Sequence, residues 1–320
     1  MRRALIVSGE GIGNVIQSTA AISAFQEIFK GTMEVEVLLP GHRELVPLIQ
    51  GKVQVHTKPD NGKTYAYVIP SWLLHAYTVK MKATRLDHTK VVPGGDPLKL
   101  GLSESETHVH AVYEAASLEG IHPGLRRRFG TWCNYTIPAG LEAREKPSGP
   151  VICLHDGGSH VRFWKAKRYP HWQGVYDSMI ERMPTAEFWV LGTKKDGCIR
   201  GGNVVDMRGR FNLLETAGVL HEGDMFVGND TGLSHIAAAL GIPSFIVFGP
   251  TNIQKNLPPR NAFPIHETGG LSCRPCQRLG GVWRRGVDGN KCRIECLSEL
   301  PAEDVARRIA EKWESITSGE

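Results

Sequence analysis

The stretch Gly228–Asn252, GNDTGLSHIAAALGIPSFIVFGPTN, is the most informative part of this 320-residue chain. It predicts a turn over Gly228–Gly232, a small-residue helix over Leu233–Leu240 and an apolar strand over Ser244–Phe248, and the apolar strand Met225–Val227 precedes it. A glycine-containing turn that opens a helix presents unpaired N–H groups and a partial positive charge, which suit a phosphate. Such a unit also occurs without a ligand, so the pattern alone leaves both interpretations open.

Strands and helices alternate on both sides of this stretch. The predicted strands are Ala4–Val7, Glu34–Leu39, Tyr67–Ile69, Val151–Leu154 and Glu187–Leu191, and the predicted helices are Val15–Phe29, Glu106–Leu118, Trp172–Arg182, Leu213–Leu220 and Ala302–Ile316. This alternation predicts two α/β domains, each a parallel sheet covered by helices, with ligands at the carboxyl ends of the strands. A linker rich in proline and glycine, Lys146–Pro150, separates residues 1–145 from residues 146–300, and residues 301–320 form a last helix.

Composition and charge are those of an ordinary globular protein, with 41% hydrophobic and 22% charged residues. No apolar run approaches the roughly 18–20 residues of a membrane span, and the N-terminal apolar run is too short for a signal peptide, so we expect a cytoplasmic protein. The net charge of +5 is mild, and its basic clusters are Arg126–Arg128, Lys165–Arg168 and Trp283–Arg285. They could be solvated, bind phosphate or meet an anionic membrane, whereas no nucleic-acid-binding module is present.

The segment from Asp230 to Thr251 reads D-T-G-L-S-H-x-A-A-A-L-G-x-P-x-x-x-x-F-G-P-T. It resembles the donor-site signature of the ADP-heptose:lipopolysaccharide heptosyltransferases, glycosyltransferase family 9. The resemblance covers the second domain well and the first domain only at its opening turn. It implies a GT-B fold, in which two Rossmann-like, doubly wound domains face a central cleft and the last helix could cross back to the first domain.

The resemblance also implies a reaction. An acceptor hydroxyl would attack the anomeric carbon of a nucleotide sugar, with inversion and without a catalytic metal, and a nucleoside diphosphate would leave. The implied donor is ADP-heptose, and the implied acceptor is a lipopolysaccharide core or related glycan. A cytoplasmic enzyme with such an acceptor could be peripheral at the inner membrane, although nothing in the sequence demands membrane association. We expect donor contacts from Ser159, Lys167, Asp196, Phe211, Asp230, Thr231, Gly232, Leu233, Ser234 and His235.

Lys167 and Ser159 are predicted from features outside this signature. Lys167 belongs to a second match to the family, and Ser159 lies in a loop after a predicted strand. Trp164–Pro170 resembles the family's K-x-W-P element, with Lys167 at the position of the donor-phosphate lysine and Tyr169 in place of tryptophan. An ammonium group there would stabilise a departing diphosphate, although plain solvation is the alternative. Ser159 ends a polar segment after the first strand of the second domain, where a phosphate loop belongs.

Other donor-site candidates have structural alternatives. Asp196 could accept bonds from ribose hydroxyls or cap a helix, and Asp230 could cap the helix that follows it. Phe211 would lie near the adenine by the family comparison, but core packing is the more common fate of a phenylalanine. His235 could be a structural histidine or a donor contact.

The catalytic base is in doubt. The family has Gly-Asp, with the Asp as proposed base, where this chain has Gly13-Asn14, and an amide has no useful basicity. Glu10 in the same turn could supply the carboxylate or be an exposed turn residue. The enzyme could also use another base, or none, with an acidic acceptor. The catalytic candidates are therefore Glu10, Asn14 and Lys167.

Four of the seven cysteines lie in a loop over residues 271–297, as Cys273-x-x-Cys276 and Cys292-x-x-x-Cys296. This spacing suits a tetrahedral Cys₄ site with a structural role, zinc being the default ion and iron the alternative. Some family members, including those that glycosylate autotransporters, carry a similar cluster. Cys133, Cys153 and Cys198 are predicted to be ordinary buried thiols.

Three other functions remain as alternatives. The same fold could act on a protein, a nucleic-acid base or a small metabolite, or it could bind a sugar nucleotide without catalysis, for which Asn14 is the main argument. A nucleotide-dependent epimerase or dehydrogenase is disfavoured because the chain lacks a dinucleotide fingerprint and a Tyr-x-x-x-Lys pair.

Overall fold

The chain forms two compact units in its computed structural model. Unit 1 comprises Met1–Pro138 with Gln254–Arg260, and unit 2 comprises Ala139–Ile253 with Asn261–Glu320. The structure describes residues 1–9, 11–39, 41–49, 53–58, 62–70, 90–93, 97–121, 146–160, 164–197, 199–277 and 292–319. Among these residues, no helix is long and apolar enough to pass through a membrane.

Unit 1 contains a five-stranded parallel sheet in the order β3-β2-β1-β4-β5. Its strands are β1 Arg2–Val7, β2 Met33–Leu38, β3 Gln54–His56, β4 Tyr67–Pro70 and β5 Lys90–Val91. Its helices are α1 Ile12–Ile28, the 3₁₀ helix Arg43–Leu48, α2 Pro97–Leu100 and α3 Glu104–Leu118. β1 is apolar along its length after Arg3 because the central strand of a parallel sheet is buried on both faces.

Unit 2 contains a six-stranded parallel sheet in the order β11-β10-β9-β6-β7-β8. Its strands are β6 Val151–His155, β7 Glu187–Val190, β8 Val204–Asp206, β9 Met225–Asn229, β10 Ser244–Val247 and β11 Ala262–Ile265. Its helices are the 3₁₀ helix Trp164–Lys167, α4 Trp172–Arg182, α5 Leu213–Glu222, α6 Gly232–Ala239, α8 Glu295–Ser298 and α9 Ala302–Ser318. Numbered within the unit, this is the Rossmann strand order 3-2-1-4-5-6, whose order reverses between β6 and β9.

The last helix, α9, packs within unit 2. Its apolar face buries Val305, Ala306 and Ile309 in the same core as the residues of α4. The contact with α4 is close, because a Cβ atom on Gly174 would lie 2.9 Å from the Cβ of Ala302. A crossing of this helix to the first domain, which the family resemblance implies, stays a prediction.

Helix α7, Ile253–Asn256, begins a segment that leaves unit 2 between β10 and β11. Residues 254–260 pack with unit 1, and the Nζ atom of Lys255 lies 3.2 Å from Oε2 of Glu104 at the start of α3. Both side chains are almost fully buried, at 3% and 1% exposed. The predicted limits, with one boundary at residues 145 and 146, did not include this exchange.

Candidate functional site

The two strands at the reversal point of unit 2 bring the predicted phosphate-binding turns together. β6 and β9 are parallel neighbours, with His155 opposite Gly228, so the segments that follow them leave the sheet at the same edge. One is the loop of residues 156–159, and the other is Asp230–Thr231, which leads directly into α6. Ligands of open α/β sheets bind at this edge, outside the carboxyl ends of the strands.

Lys167 is paired with Asp230 at this edge. The Nζ atom of Lys167 lies 2.8 Å from Oδ2 of Asp230 and 5.1 Å from the ring centroid of Trp164. Burial alone would raise the pKa of Asp230, but Lys167 and the more distant His235 hold that pKa below its ordinary value. Asp230 is therefore an ionised partner of Lys167, and simple solvation of the lysine is wrong.

Thr231, and not Asp230, is the N-cap residue of α6. The Thr231 N–H donates to Oγ of Ser234 at 3.3 Å, and the Ser234 hydroxyl donates back to the Thr231 carbonyl at 2.6 Å. Gly232 and Leu233 form the first turn between them. The helix therefore starts at the carboxyl end of β9, where its partial positive charge favours an anion.

His235 lies one turn into the same helix and is 5% exposed. Its Nε2 atom is 3.9 Å from Oδ1 of Asp230, so the histidine is a buried neighbour of the Lys167–Asp230 ion pair. A contact of His235 with the donor stays a prediction.

The Asp196 carboxylate connects the segments around the site by hydrogen bonds and ion pairs. Its carboxylate accepts hydrogen bonds from the N–H and the hydroxyl of Thr193, each at 2.8 Å, and from the Arg168 guanidinium at 3.1 Å, and it lies 3.1 Å from His160 Nε2. Burial raises its pKa, but the bonds from Thr193 and the proximity of His155 outweigh burial and lower it. The helix-cap interpretation is wrong because strand β8 is the next element after Asp196. A ribose contact stays a prediction.

Two glycines let the carboxylates approach the backbone. A Cβ atom on Gly157 would lie 2.2 Å from the carboxyl carbon of Asp196, and one on Gly197 would lie 1.9 Å from Oδ2 of Asp156. Gly197 also has φ of +76°, which other residues rarely adopt. Asp156 in turn lies 3.6 Å from Arg208.

Asn229 joins three segments of the site and was not predicted from the sequence. Its amide nitrogen donates to the Gly157 carbonyl at 2.7 Å, and its amide oxygen accepts from the Tyr169 N–H at 3.0 Å. Asn229 is fully buried at the end of β9. Arg168, the residue before Tyr169, was likewise seen only as part of a basic cluster. A polar residue that ends an otherwise apolar strand is the one signal that could have found Asn229.

The remaining donor candidates are more exposed. Ser159 lies exposed at the end of the loop after β6. Phe211 precedes α5 and is 41% exposed, so core packing is wrong for it, while its contact with an adenine stays a prediction. Of the basic clusters, Lys165–Arg168 pairs two of its charges with carboxylates. Arg126–Arg128 and Trp283–Arg285 lie outside the described residues.

Asn14 lies inside the first helix of unit 1, which was predicted to begin only at Val15. α1 begins at Ile12, so Asn14 lies in its first turn, and its side chain packs over Gly9. A Cβ atom on Gly9 would lie 2.5 Å from the Asn14 Cβ, so this packing requires a glycine. Asn14 thus lies close to the carboxyl end of β1. Glu10 lies outside the described residues.

The cysteine pairs lie near one another in unit 2. Burial raises the pKa of the Cys296 thiol to about 12, Arg274 opposes this, and the proximity of Cys273, Cys276 and Cys292 adds to it. Two thiols make local bonds: Cys276 Sγ donates to the Cys273 carbonyl, and Cys292 Sγ accepts from the Ile294 N–H, each at 3.3 Å.

These thiols are not arranged as ligands. Across the described part of the chain, which includes all four cysteines, no group of three or more His, Cys, Asp or Glu side chains is placed to hold a metal ion. The Cys₄ site therefore stays a prediction. Cys153 is buried as predicted, whereas Cys133 and Cys198 lie outside the described residues.

The first cysteine pair supports the turn that follows β10. The N–H groups of Cys276 and Gln277 donate to the Pro250 carbonyl at 2.9 and 3.1 Å, and Arg274 donates to the Gly249 carbonyl at 3.1 Å. The Asn252 N–H donates to the side-chain oxygen of Gln277 at 3.1 Å. The cysteine-rich segment thus fixes the F-G-P-T end of the sequence that defined the fold.

Comparison with known proteins identifies the architecture. Residues 141–280 match the family model of glycosyltransferase family 9 (heptosyltransferase). The lipopolysaccharide heptosyltransferase 1 of Pseudomonas aeruginosa is 32% identical over 205 residues, which cover 58% of this chain and 56% of that protein. The chain spans about half the length of the curated relatives it matches.

Two solved structures share the fold. The ADP-heptose lipopolysaccharide heptosyltransferase II of Escherichia coli has a TM-score of 0.67 at 14% identity, with 100% of each chain covered. The dodecameric iron-containing heptosyltransferase TibC, solved with ADP-D-β-D-heptose, has a TM-score of 0.66 at 15% identity, covering 98% of this chain and 77% of that chain. The predicted resemblance to this family is confirmed over residues 141–280, and the predicted GT-B class of two Rossmann-like domains is confirmed by the shared fold.

Proposed function

Because residues 141–280 match the family model of glycosyltransferase family 9, we propose that the chain is an inverting glycosyltransferase of that family. It takes a heptose-like sugar from a nucleoside-diphosphate sugar, with ADP-heptose as the donor. The acceptor is a hydroxyl group of a lipopolysaccharide core or a related glycan. The relatives named above supply the donor and acceptor classes, and unit 2 supplies the site for the diphosphate.

One observation carries this proposal: Lys167 and the N-terminus of α6 lie together at the reversal point of the unit 2 sheet. The lysine comes from the 3₁₀ helix after β6, and the Asp230 that holds it immediately precedes Thr231. An ammonium group and a helix N-terminus are both suited to an anion. Their convergence supports a diphosphate-binding site.

In the proposed reaction these groups act on the leaving group. Negative charge grows on the diphosphate as the bond to the anomeric carbon breaks, and preorganised positive groups lower the barrier by stabilising that charge. Asp230 keeps Lys167 at the edge of the sheet until the donor arrives. No residue of this mechanism requires a catalytic metal.

The first test is donor binding. Purified protein is titrated with ADP-, UDP-, GDP- and CDP-sugars, and release of the nucleoside diphosphate is followed. We expect selective binding of an ADP-sugar, with slow release of ADP. Absence of binding to every member of the panel would overturn the proposed function.

The role of Lys167 has a matched control in the same 3₁₀ helix. We expect Lys167→Ala to lower kcat by roughly 100-fold, because loss of one preorganised group at the developing charge typically has an effect of that order. Lys165→Ala removes an exposed lysine two residues away and should change the rate little. Equal rates for Lys167→Ala and the unaltered protein would contradict the assignment.

The proton acceptor separates the enzyme from the second candidate function, a non-catalytic sugar-nucleotide binder. Asn14 favours that candidate, because its amide cannot take the proton of an acceptor hydroxyl. If Glu10 is the base, Glu10→Gln abolishes turnover while ADP-sugar binding persists. If catalysis has been lost, the unaltered protein binds without turnover and Asn14→Asp gains it.

The acceptor is tested separately from the donor. Heptose-deficient lipopolysaccharide core, a protein extract and small hydroxyl compounds are each incubated with labelled ADP-heptose. We expect label in the lipopolysaccharide fraction. Label in the protein fraction would identify a protein acceptor instead, and pelleting with anionic vesicles would test peripheral membrane contact at the cytoplasmic face.

We also propose that Cys273, Cys276, Cys292 and Cys296 bind a structural zinc or iron ion. Four thiolates are a suitable donor set for either ion, and TibC is iron-containing. Binding would require the thiols to lose their protons and exchange their local hydrogen bonds for metal bonds. Elemental analysis should find about one metal ion per chain, lost in Cys276→Ser and retained in Cys153→Ala; a metal-free unaltered protein would contradict the site.

A further inference from the structure

A buried histidine links the two loops of the diphosphate site. His155 ends β6 and is 5% exposed. Its Nδ1 atom lies 3.1 Å from Oγ1 of Thr231, the N-cap residue of α6, and its Nε2 atom lies 4.0 Å from Oδ2 of Asp196. The imidazole therefore stands between a buried carboxylate and a hydroxyl at the anion-binding end of a helix.

The neighbours of His155 come from three elements. Asp156 directly follows it in the loop after β6, Asp196 comes from the loop after β7, and Arg168 follows the 3₁₀ helix. Burial lowers the pKa of His155, the two carboxylates oppose this effect, and Arg168 reinforces it. The net direction is downward, so the ring is neutral in the free protein near neutral pH.

The hydrogen-bonding capacity of a neutral ring limits what Thr231 can do. When the ring proton is on Nε2, which faces Asp196, Nδ1 can only accept a hydrogen bond. The Thr231 hydroxyl must then donate its one hydrogen bond to His155. The hydroxyl then offers only lone pairs to an incoming phosphate. An imidazolium would donate from Nδ1 to Thr231 instead, leaving the hydroxyl proton for a phosphate oxygen.

We propose that His155 takes up a proton when the diphosphate of the donor binds, and that it thereby turns the Thr231 hydroxyl towards a phosphate oxygen. This inference rests on the proposed function, because it assigns the diphosphate to the N-terminus of α6. The proton comes from solvent and forms one N–H bond on the ring; no other covalent bond changes. His155 is a positioning residue, since it acts through Thr231.

Electrostatics favours this uptake. A diphosphate brings negative charge to the edge of the sheet where His155 already faces the Asp196 carboxylate. An imidazolium between two anionic groups is stabilised by both, which raises its proton affinity in the bound state relative to the free protein. By linkage, the same free energy makes donor binding tighter at lower pH.

The test measures proton uptake directly. Binding of ADP-heptose, without acceptor, is followed by calorimetry in two buffers of different ionisation enthalpy between pH 6 and 9. The diphosphate of a nucleotide sugar is a diester, so it has no group that titrates in this range. For one linked proton, the affinity for ADP-heptose should fall as the pH rises. The fall should reach up to about tenfold per pH unit between the pKa of His155 in the free protein and its pKa in the complex.

Two variants isolate His155. In His155→Asn, the amide N–H can still donate to Thr231 at any pH, so we expect binding without proton uptake and with a flat pH profile. His221→Asn changes an exposed histidine of α5 and should retain the proton uptake of the unaltered protein. Thermal unfolding checks that both variants are folded.

The outcomes separate this inference from the proposed function. Proton uptake that persists in His155→Asn, or a flat pH profile in the unaltered protein, would overturn the inference while leaving donor binding intact. Failure of the unaltered protein to bind ADP-heptose or any other nucleotide sugar would overturn the proposed function, and this inference with it. If His155→Asn fails to fold, Thr231→Val serves in its place, with weaker binding and diminished proton uptake expected.

Discussion

At the scale of single residues, the Glu36 carboxylate on β2 is the shared partner of several polar side chains of unit 1. Its side chain is 4% exposed, and its carboxylate oxygens lie 2.7 Å from His56 Nε2, 3.1 Å from Lys63 Nζ and 2.9 Å from the Tyr65 hydroxyl. Burial would raise the pKa of Glu36, but the bonds from these three groups outweigh burial and lower it. The carboxylate is therefore held ionised in unit 1.

Glu36→Gln should destabilise the protein by about 2 kcal/mol at neutral pH, because it leaves the partly buried Lys63 ammonium and the buried Tyr65 hydroxyl without their charged partner. Since the folded pKa lies below the unfolded value, the charge stabilises the fold above about pH 4.5. That contribution is lost as pH falls through the folded pKa. Urea unfolding should show that the difference in free energy of unfolding between Glu36→Gln and the unaltered protein is smaller at pH 4 than at pH 7.

The matched control for this prediction lies two residues away on β2. Glu34 is half exposed, and its Oε2 atom lies 3.5 Å from Nε of the exposed Arg3, so Glu34→Gln should change the free energy of unfolding by less than about 1 kcal/mol. A gap between Glu36→Gln and the unaltered protein that widens as the pH falls would contradict the assigned direction of the pKa shift.

Residue-level prediction from the sequence depended on motifs. The K-x-W-P resemblance pointed to Lys167, and the structure shows its ion pair with Asp230, while its role at the donor phosphate stays a prediction. The network of Asn229, Arg168 and His155 was not predicted, because its contacts join residues 28 to 76 positions apart. Contacts at such separations depend on the order of strands in the sheet, which spacing along one sequence does not give.

At the scale of elements, the loops after β6 and β7 fit together only without a side chain at Gly157. We expect Gly157→Ala to lower the free energy of unfolding by about 2 kcal/mol, because the added methyl group would overlap the Asp196 carboxyl group. The loop must then shift, so ADP-sugar binding should weaken as well. Thermal unfolding and the donor titration measure the two effects.

A neighbouring glycine provides the comparison. Gly202 lies near the start of β8, and a Cβ atom there would have no heavy atom within 4 Å among the described residues. Gly202→Ala should therefore leave donor binding unchanged. Equal stability and equal donor affinity of the two alanine variants would show that the close approach of Gly157 to Asp196 does not determine the position of the loop.

The sequence predicted long elements better than short ones. Helix α4 was predicted over the same residues that form it, Trp172–Arg182, because its apolar positions recur with helical spacing. Strands β8 and β11 were missed. β8 has three residues and β11 contains Pro264; both are edge strands, where short length and a missing N–H group are tolerated. Their identity depends on pairing with β7 and β10.

At the scale of the whole molecule, the buried pair of Lys255 and Glu104 fixes residues 254–260 in unit 1. Breaking such a pair from one side leaves an uncompensated buried charge, so Lys255→Met or Glu104→Gln alone should cost about 3–5 kcal/mol. The double variant should recover much of that loss. Urea unfolding of the four proteins measures the coupling, and additive single losses would contradict the pairing.

The same segment determines when unit 1 can finish folding during synthesis. Unit 1 begins at Met1, but residues 254–260 emerge from the ribosome only after most of unit 2 has been made. Until then Glu104 lacks its lysine partner, and the first unit cannot reach its final packing. We therefore expect the nascent N-terminal half, released at residue 138, to be less protected from protease than the same residues in the full chain.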